Sequence, residues 1–215
     1  MVERGAQWTL RSIARRVAEI WRAGGPGLLF WKVLGETVFR RMRYFERPLS
    51  DPIPPASPMP GVMVEELPQD RWHELHQVRP GTSPEEIAGR LRRGDRCFIA
   101  TAQGRVVHMS WIATHVAWCE PLGAEIPLAS SAAYYYGSFT IPEMRGRGLA
   151  PEACKLYQRS LRQAGFQSVV AVADAENHSG LRALEKSGYS RAGWLGVLRL
   201  GPWRRLIRWK GAPRP

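Results

Sequence analysis

The sequence predicts an α+β fold in which strands and amphipathic helices build one main domain. Three observations predict it. Short β-type segments alternate with amphipathic helical segments in an irregular order. An aromatic run at 132–141 ends in a Pro, a basic Gly-rich turn and a helical pattern. Six Pro between 48 and 60 separate this domain from a basic N-terminal stretch.

Residues 7–23 are predicted to be helical, because Trp8, Leu10, Ile13, Val17, Ile20 and Trp21 recur at near-helical spacing. Gly24-Gly25-Pro26-Gly27 is expected to break that helix, and a second one is expected from Leu28 to Phe45. Residues 1–47 thus read as a basic amphipathic helical extension. Residues 48–60 read as an extended Pro-rich linker, 61–200 as the main domain and 201–215 as a basic aromatic tail.

In the main domain Val62–Leu67 reads as a strand. Gln69–Val78 and Ser83–Arg93 read as short helices, the latter with Ser83 and Glu86 in capping-box spacing. Cys97–Thr101 and Val106–Thr114 read as a hairpin around Gln103-Gly104. Ala132–Ile141 is expected to be a strand and Leu149–Ala164 a helix. Ser168–Ala173 follows as a strand, Ser179–Ser187 as a helix and Arg191–Leu200 as the last strand.

The net charge of +12 resides in the two ends: residues 1–50 carry +6, residues 191–215 carry +7, and 51–190 carry −1. Cys97, Cys119 and Cys154 have neither disulfide nor metal spacing, and no metal is expected. No signal-peptide pattern and no run of about 18 apolar residues is present, which reads as a cytoplasmic protein. There is no G-x-G-x-x-G and no Gly-Lys-Ser/Thr, so dinucleotide and P-loop readings are set aside.

The turn Arg145-Gly146-Arg147-Gly148-Leu149-Ala150 has the chemistry of an anion cradle. Glycines lack a Cβ and let backbone N–H groups approach a ligand, and a helix start adds orphan N–H groups and its dipole. Arg145-x-x-Gly148-x-Ala150 and the later block Asn177-His178-Ser179-Gly180 to Glu185-Lys186-Ser187-Gly188-Tyr189 together resemble the GNAT acyltransferase superfamily over roughly residues 61–200. Gly180 stands where relatives more often have Ala or Ser.

The resemblance implies an α+β (α/β three-layer) fold with a mixed, mostly antiparallel, splayed sheet flanked by helices, and an acyl-CoA co-substrate, most simply acetyl-CoA. Phe139, Thr140 and Ile141 would line the donor arm. Arg145, Gly146, Arg147, Gly148, Leu149 and Ala150 would hold the pyrophosphate. Asn177 would contact the donor, or cap the following helix. The Tyr that many relatives place seven residues after this Asn is Leu184 here, and the carboxylate of the preceding strand is replaced by Tyr134, Tyr135 and Tyr136. Tyr136, Asp174 and His115 are therefore the candidate catalytic groups. His108, Glu176 and His178 are further titratable residues, and a strand His is more often structural.

The expected function is transfer of an acetyl group to a primary amine, small-molecule or lipid-linked. The alternatives are a longer-chain acyltransferase using acyl-CoA or an acyl-carrier protein, and a non-catalytic CoA-binding or membrane-docking module. The basic aromatic ends suit a peripheral position on the inner membrane face, or packing on the domain or on a twin subunit. Charge alone suggests nucleic acid, and no such motif is present.

Overall fold

The computed structural model describes residues 38–57, 59–79, 81–200 and 203–208, with positions 18, 21, 22, 25–27 and 30. The isolated positions are helical, including Gly25–Gly27, where a break was expected. The rest of the expected helix at 7–23, and 28–37 apart from Phe30, lie outside the described residues. The chain divides into two compact units, Met42–Leu195 with Arg208–Pro215, and Met1–Arg41 with Gly196–Ile207.

In the larger unit, β1 (Phe39–Pro48, from Met42 onward) pairs antiparallel with β8 (Ser168–Asp174), Met42 opposite Asp174 and Pro48 opposite Ser168. Residues 39–45 are thus a strand, not the end of a helix. Val38, Phe39, Met42 and Phe45 fit helical spacing, yet a short apolar stretch fits either period. Pairing with β8 decides, burying Met42 and Tyr44 on alternate positions and Phe45 beside them.

From β1 the strands run β1-β8-β7-β4-β3-β2. Here β2 is Val62–Glu66, β3 Arg96–Ala102, β4 Arg105–Ala113 and β7 Ala132–Thr140. β7 and β8 are parallel, and the other described pairs are antiparallel. The β3–β4 hairpin turns at Gln103-Gly104, both at positive φ as a tight hairpin turn requires. A small separate hairpin, β5 (Ala117–Cys119) with β6 (Ala124–Ile126), was not anticipated. Three-residue strands are too short to show an alternation. β9 (Ser190–Leu200) continues into the smaller unit, where the Arg199 amide donates to the Val38 carbonyl at 2.7 Å. β10 (Trp203–Arg208) follows it.

Helices cover both faces. On one, a 3-10 turn at Gln69–Glu74 leads into α1 (Leu75–Val78) and then α2 (Pro84–Arg92). The Ser83 hydroxyl caps α2 by accepting from the Glu86 amide at 3.1 Å. Leu75, Val78 and Ile87 pack there with Ile99, Met109 and Trp111. On the other face lie α3 (Leu149–Gln163) and α4 (His178–Lys186). Leu149, Ala153, Cys154, Tyr157 and Leu161 form the buried stripe of α3 at helical spacing. All three cysteines are buried thiols.

In the Pro-rich segment residues 52–57 form neither helix nor strand, and the segment lies along α3. The Lys155 ammonium donates to the Pro55 carbonyl at 3.2 Å, Arg159 and Arg162 donate to the carbonyls of Pro54 and Asp51, and the Ser57 amide donates to Glu152 at 2.9 Å.

Candidate active site

The last β7–β8 pair is Tyr135 with Ala171. β7 then runs on to Thr140 and β8 to Asp174 without pairing with each other, each still paired on its other edge, to β4 and β1. At the same place the β4–β7 register slips between Met109 and Trp111, and Gly137 takes φ +60. Such a bulge bends one strand away from its neighbour. The strands part around a cleft of about 480 Å³.

At one end of the cleft is the Gly-rich turn. Pro142–Met144 makes one 3-10 turn, and Gly146 and Gly148 take φ +76 and +80. Gly148 is the N-cap of α3 and provides no side-chain cap. Among the described residues none of the turn or cap hydrogen bonds uses the amides of Gly146 to Ala150, while Pro151 has no amide to leave unsatisfied. A Cβ on Gly146 or Gly148 would meet nothing within 4 Å, so the cradle is open. Arg145 turns back instead: its Nε donates to the Thr140 carbonyl at 3.1 Å and its guanidinium lies over the Phe139 ring. Arg147 is exposed beside the loop.

Asn177 caps α4, its Oδ1 accepting from the Gly180 amide at 3.0 Å, and it also lines the cleft. The helix-cap reading of this residue is thus observed. The departure at Gly180 has a steric cause, since a Cβ there would stand 2.6 Å from Asn177 Nδ2.

The other end of the cleft is made of side chains. Tyr134 and Tyr136 stack with centroids 5.5 Å apart. The Tyr136 hydroxyl donates to Asp95 Oδ2 at 2.6 Å, and Arg93 donates to the same oxygen at 3.0 Å. Burial, with the Asp95 carboxylate, pushes the Tyr136 hydroxyl above the ordinary tyrosine range. The hydroxyl therefore keeps its proton, which it donates to Asp95. Asp174 lines the cleft from β8. His115 is exposed on the loop after β4, against Gly94, and does not line it. Leu184 is buried in the cleft wall, so no hydroxyl stands there.

His108 is fully buried on β4. Its Nδ1 lies 2.8 Å from the Thr140 hydroxyl, and its Nε2 has no partner among the described residues. Burial pushes its pKa down to about 4, so the ring is neutral.

Among the cleft residues that escaped the sequence reading are Arg79, Arg90, Trp118 and Glu120. Arg90 on α2 is 2% exposed, its Nη2 donating to Glu86 and, at 3.0 Å, to Glu120. The guanidinium also lies 5.3 and 5.1 Å from the ring centroids of Trp111 and Tyr136. Nothing in the sequence separates Arg90 from its neighbours Arg92 and Arg93. Glu120 stands in a loop without a motif.

The sheet is mixed, and its two parallel strands part around a cleft beside a helix start flanked by glycines. The acetyltransferase (GNAT) family profile matches residues 62–189, and the chain belongs to that family. Solved structures share the fold. A protein of Novosphingobium aromaticivorans assigned to the GNAT family superposes with a TM-score of 0.54 at 21% identity, covering 74% of this chain and 63% of its own. A GCN5-related N-acetyltransferase of Sphaerobacter thermophilus gives 0.57 at 13% identity, covering 86% and 57%. This chain thus spans about six-tenths of the length of either. No curated protein sequence matches it.

Proposed function

We propose that this chain is an N-acyltransferase that moves an acetyl group from acetyl-CoA to a primary amine. The observation that carries this reading is the parting of β7 from β8 beyond Tyr135 and Ala171, beside the open helix start at Gly148. The unpaired edge of β7 at Phe139–Ile141 offers backbone groups to an extended pantetheine arm. The amides of Gly146 to Ala150, with Arg147, offer donors to a pyrophosphate. Arg145 acts on the loop by tying it to Thr140.

When bound, the co-substrate supplies an activated acyl carbonyl and a thiolate leaving group. An ordinary thiol has a pKa of about 8.5, so the sulfur departs as thiolate without a positioned acid. That accommodates Leu184. The amine must attack as the free base. Glu120, half exposed in the cleft wall beside Trp118 and Tyr134, is the carboxylate we assign to take its proton, directly or through water. Asp174 is a second carboxylate at the cleft, and Tyr136 orients groups there.

Calorimetric titration with acetyl-CoA and octanoyl-CoA tests the reading. Tight acetyl-CoA binding supports it. Preference for octanoyl-CoA moves the donor to a longer acyl chain, and binding of neither overturns the donor site.

A second reading concerns location. Among the described residues no helix is long and apolar enough to cross a membrane. In the smaller unit Leu200 and Trp203 are 56% and 48% exposed, and Arg204 and Arg205 follow on β10. Exposed aromatic and basic residues together favour docking on an anionic lipid surface. Cosedimentation with phosphatidylglycerol vesicles, lost in a Trp203→Ser, Arg204→Ser, Arg205→Ser variant, is the expected result.

A further inference from the structure

Both signs of charge line the acceptor end of the cleft. Glu120 provides the carboxylate there. Two guanidinium groups line the same cleft, Arg79 just after α1 and Arg90 on α2. Glu86 and Glu120 both engage Nη2 of Arg90, while its Nη1 is buried with no partner among the described residues. That nitrogen faces Gly137 at the bulge, where a Cβ would stand 3.1 Å away. Arg79 is half-buried, and among the described residues its only hydrogen bond runs from the Thr82 amide to its own backbone carbonyl, at 3.3 Å. Its guanidinium is a cation without a counter-ion there.

A guanidinium with unused donors in a part-buried site costs solvation unless an acceptor meets it. Carboxylates and phosphates match its geometry. Trp118, and Tyr134 and Tyr136 of β7, line the same cleft with aromatic rings. We infer that the acceptor is an amine that also carries an anionic group, its amine toward Glu120 and its anion held by Arg79 and Arg90. The inference rests on the acyl-transfer reading for which end of the cleft receives the acceptor. Its core is the pairing of an anion with Arg79, which is tested by binding alone.

The experiment is calorimetric titration of the full chain, with and without saturating CoA. The probes are γ-aminobutyrate against butylamine, L-phenylalanine against L-phenylalaninamide, and phosphoethanolamine against ethanolamine. At least one anionic probe is expected to bind about tenfold tighter than its neutral counterpart, the scale of a hydrogen bond to a charged group. The first two pairs report a carboxylate and the third a phosphate. Arg79→Met is expected to narrow that ratio to within about threefold and Arg79→Lys to recover part of it, as loss and retention of the charge require. CoA titration of each variant reports that it is folded.

Equal binding of anionic and neutral members, or no binding of any anionic probe by protein that binds CoA, overturns the inference and leaves the donor site standing. Discrimination without CoA binding upholds the anion site and overturns the donor reading. A protein that binds neither CoA nor any anionic probe refutes both.

Discussion

The end of the cleft that we assign to the donor presents backbone, and the end that we assign to the acceptor presents side chains. At the donor end two glycines at positive φ, a helix start without a side-chain cap and an unpaired strand edge leave main-chain groups open. At the acceptor end buried arginine, stacked tyrosines and a bridging glutamate fill the wall. A backbone site is written in a short stretch of sequence and recognises a constant ligand part. A side-chain site is assembled from distant segments and carries specificity.

The sharpest break of this contrast is Gly148→Glu. A side chain and a negative charge would enter an open cradle, and like-charge opposition costs several kcal/mol. CoA affinity is expected to fall about a thousandfold, or ~4 kcal/mol. Gly148→Asn, which tolerates the left-handed conformation, should stay within about tenfold. Unchanged affinity in a folded Gly148→Glu protein would remove the loop from the donor site.

The donor strand also rests on His108, whose ring meets Thr140. The folded pKa of about 4 lies below the unfolded value of about 6.5. Between these values the unfolded chain binds more protons, so stability is full above pH ~6.5 and falls as pH drops toward 4. The loss is about 3 kcal/mol. Urea denaturation across that range should show this slope, and His108→Gln should flatten it. Parallel slopes in the two proteins would contradict a buried neutral ring.

At the acceptor end, Glu120→Gln should lower kcat/KM for the amine by about a hundredfold while CoA affinity stays unchanged. In the wild type kcat/KM should rise with pH toward the pKa of the amine. Activity within about threefold of wild type would assign the proton to solvent. Gly137→Ala is the mildest change. Its φ of +60 and the 3.1 Å approach to Arg90 and Trp111 should reduce stability by roughly 2 kcal/mol. A melting temperature unchanged from wild type would show that the bulge relaxes freely.

Legibility in the sequence followed the same divide. The strand, Gly-rich turn and helix at 132–163 were readable, because a turn at positive φ before a helix demands glycine locally. So were the capping of α2 by Ser83 and of α4 by Asn177, each a contact within three residues. Residues 39–45 were misread, because their apolar spacing suits a helix and only β8 makes them a strand. The Tyr136–Asp95 bond spans two elements, and no pattern in either announces it. His115 was named as a candidate from its position after β4, yet the loop carries it away from the cleft.

The sequence by itself determined the family, the glycine loop and the order of elements from β2 to β9 apart from the β5–β6 hairpin. Each follows from short-range geometry, and the backbone conformation of a few residues suffices. Only the tertiary structure decided that β1 enters the sheet, that the Pro-rich segment lies on α3, and that Arg79, Arg90, Glu120 and Tyr136 line one cleft. Those residues come from four separated stretches of chain, and their charges acquire a role only where folding excludes water and places them side by side.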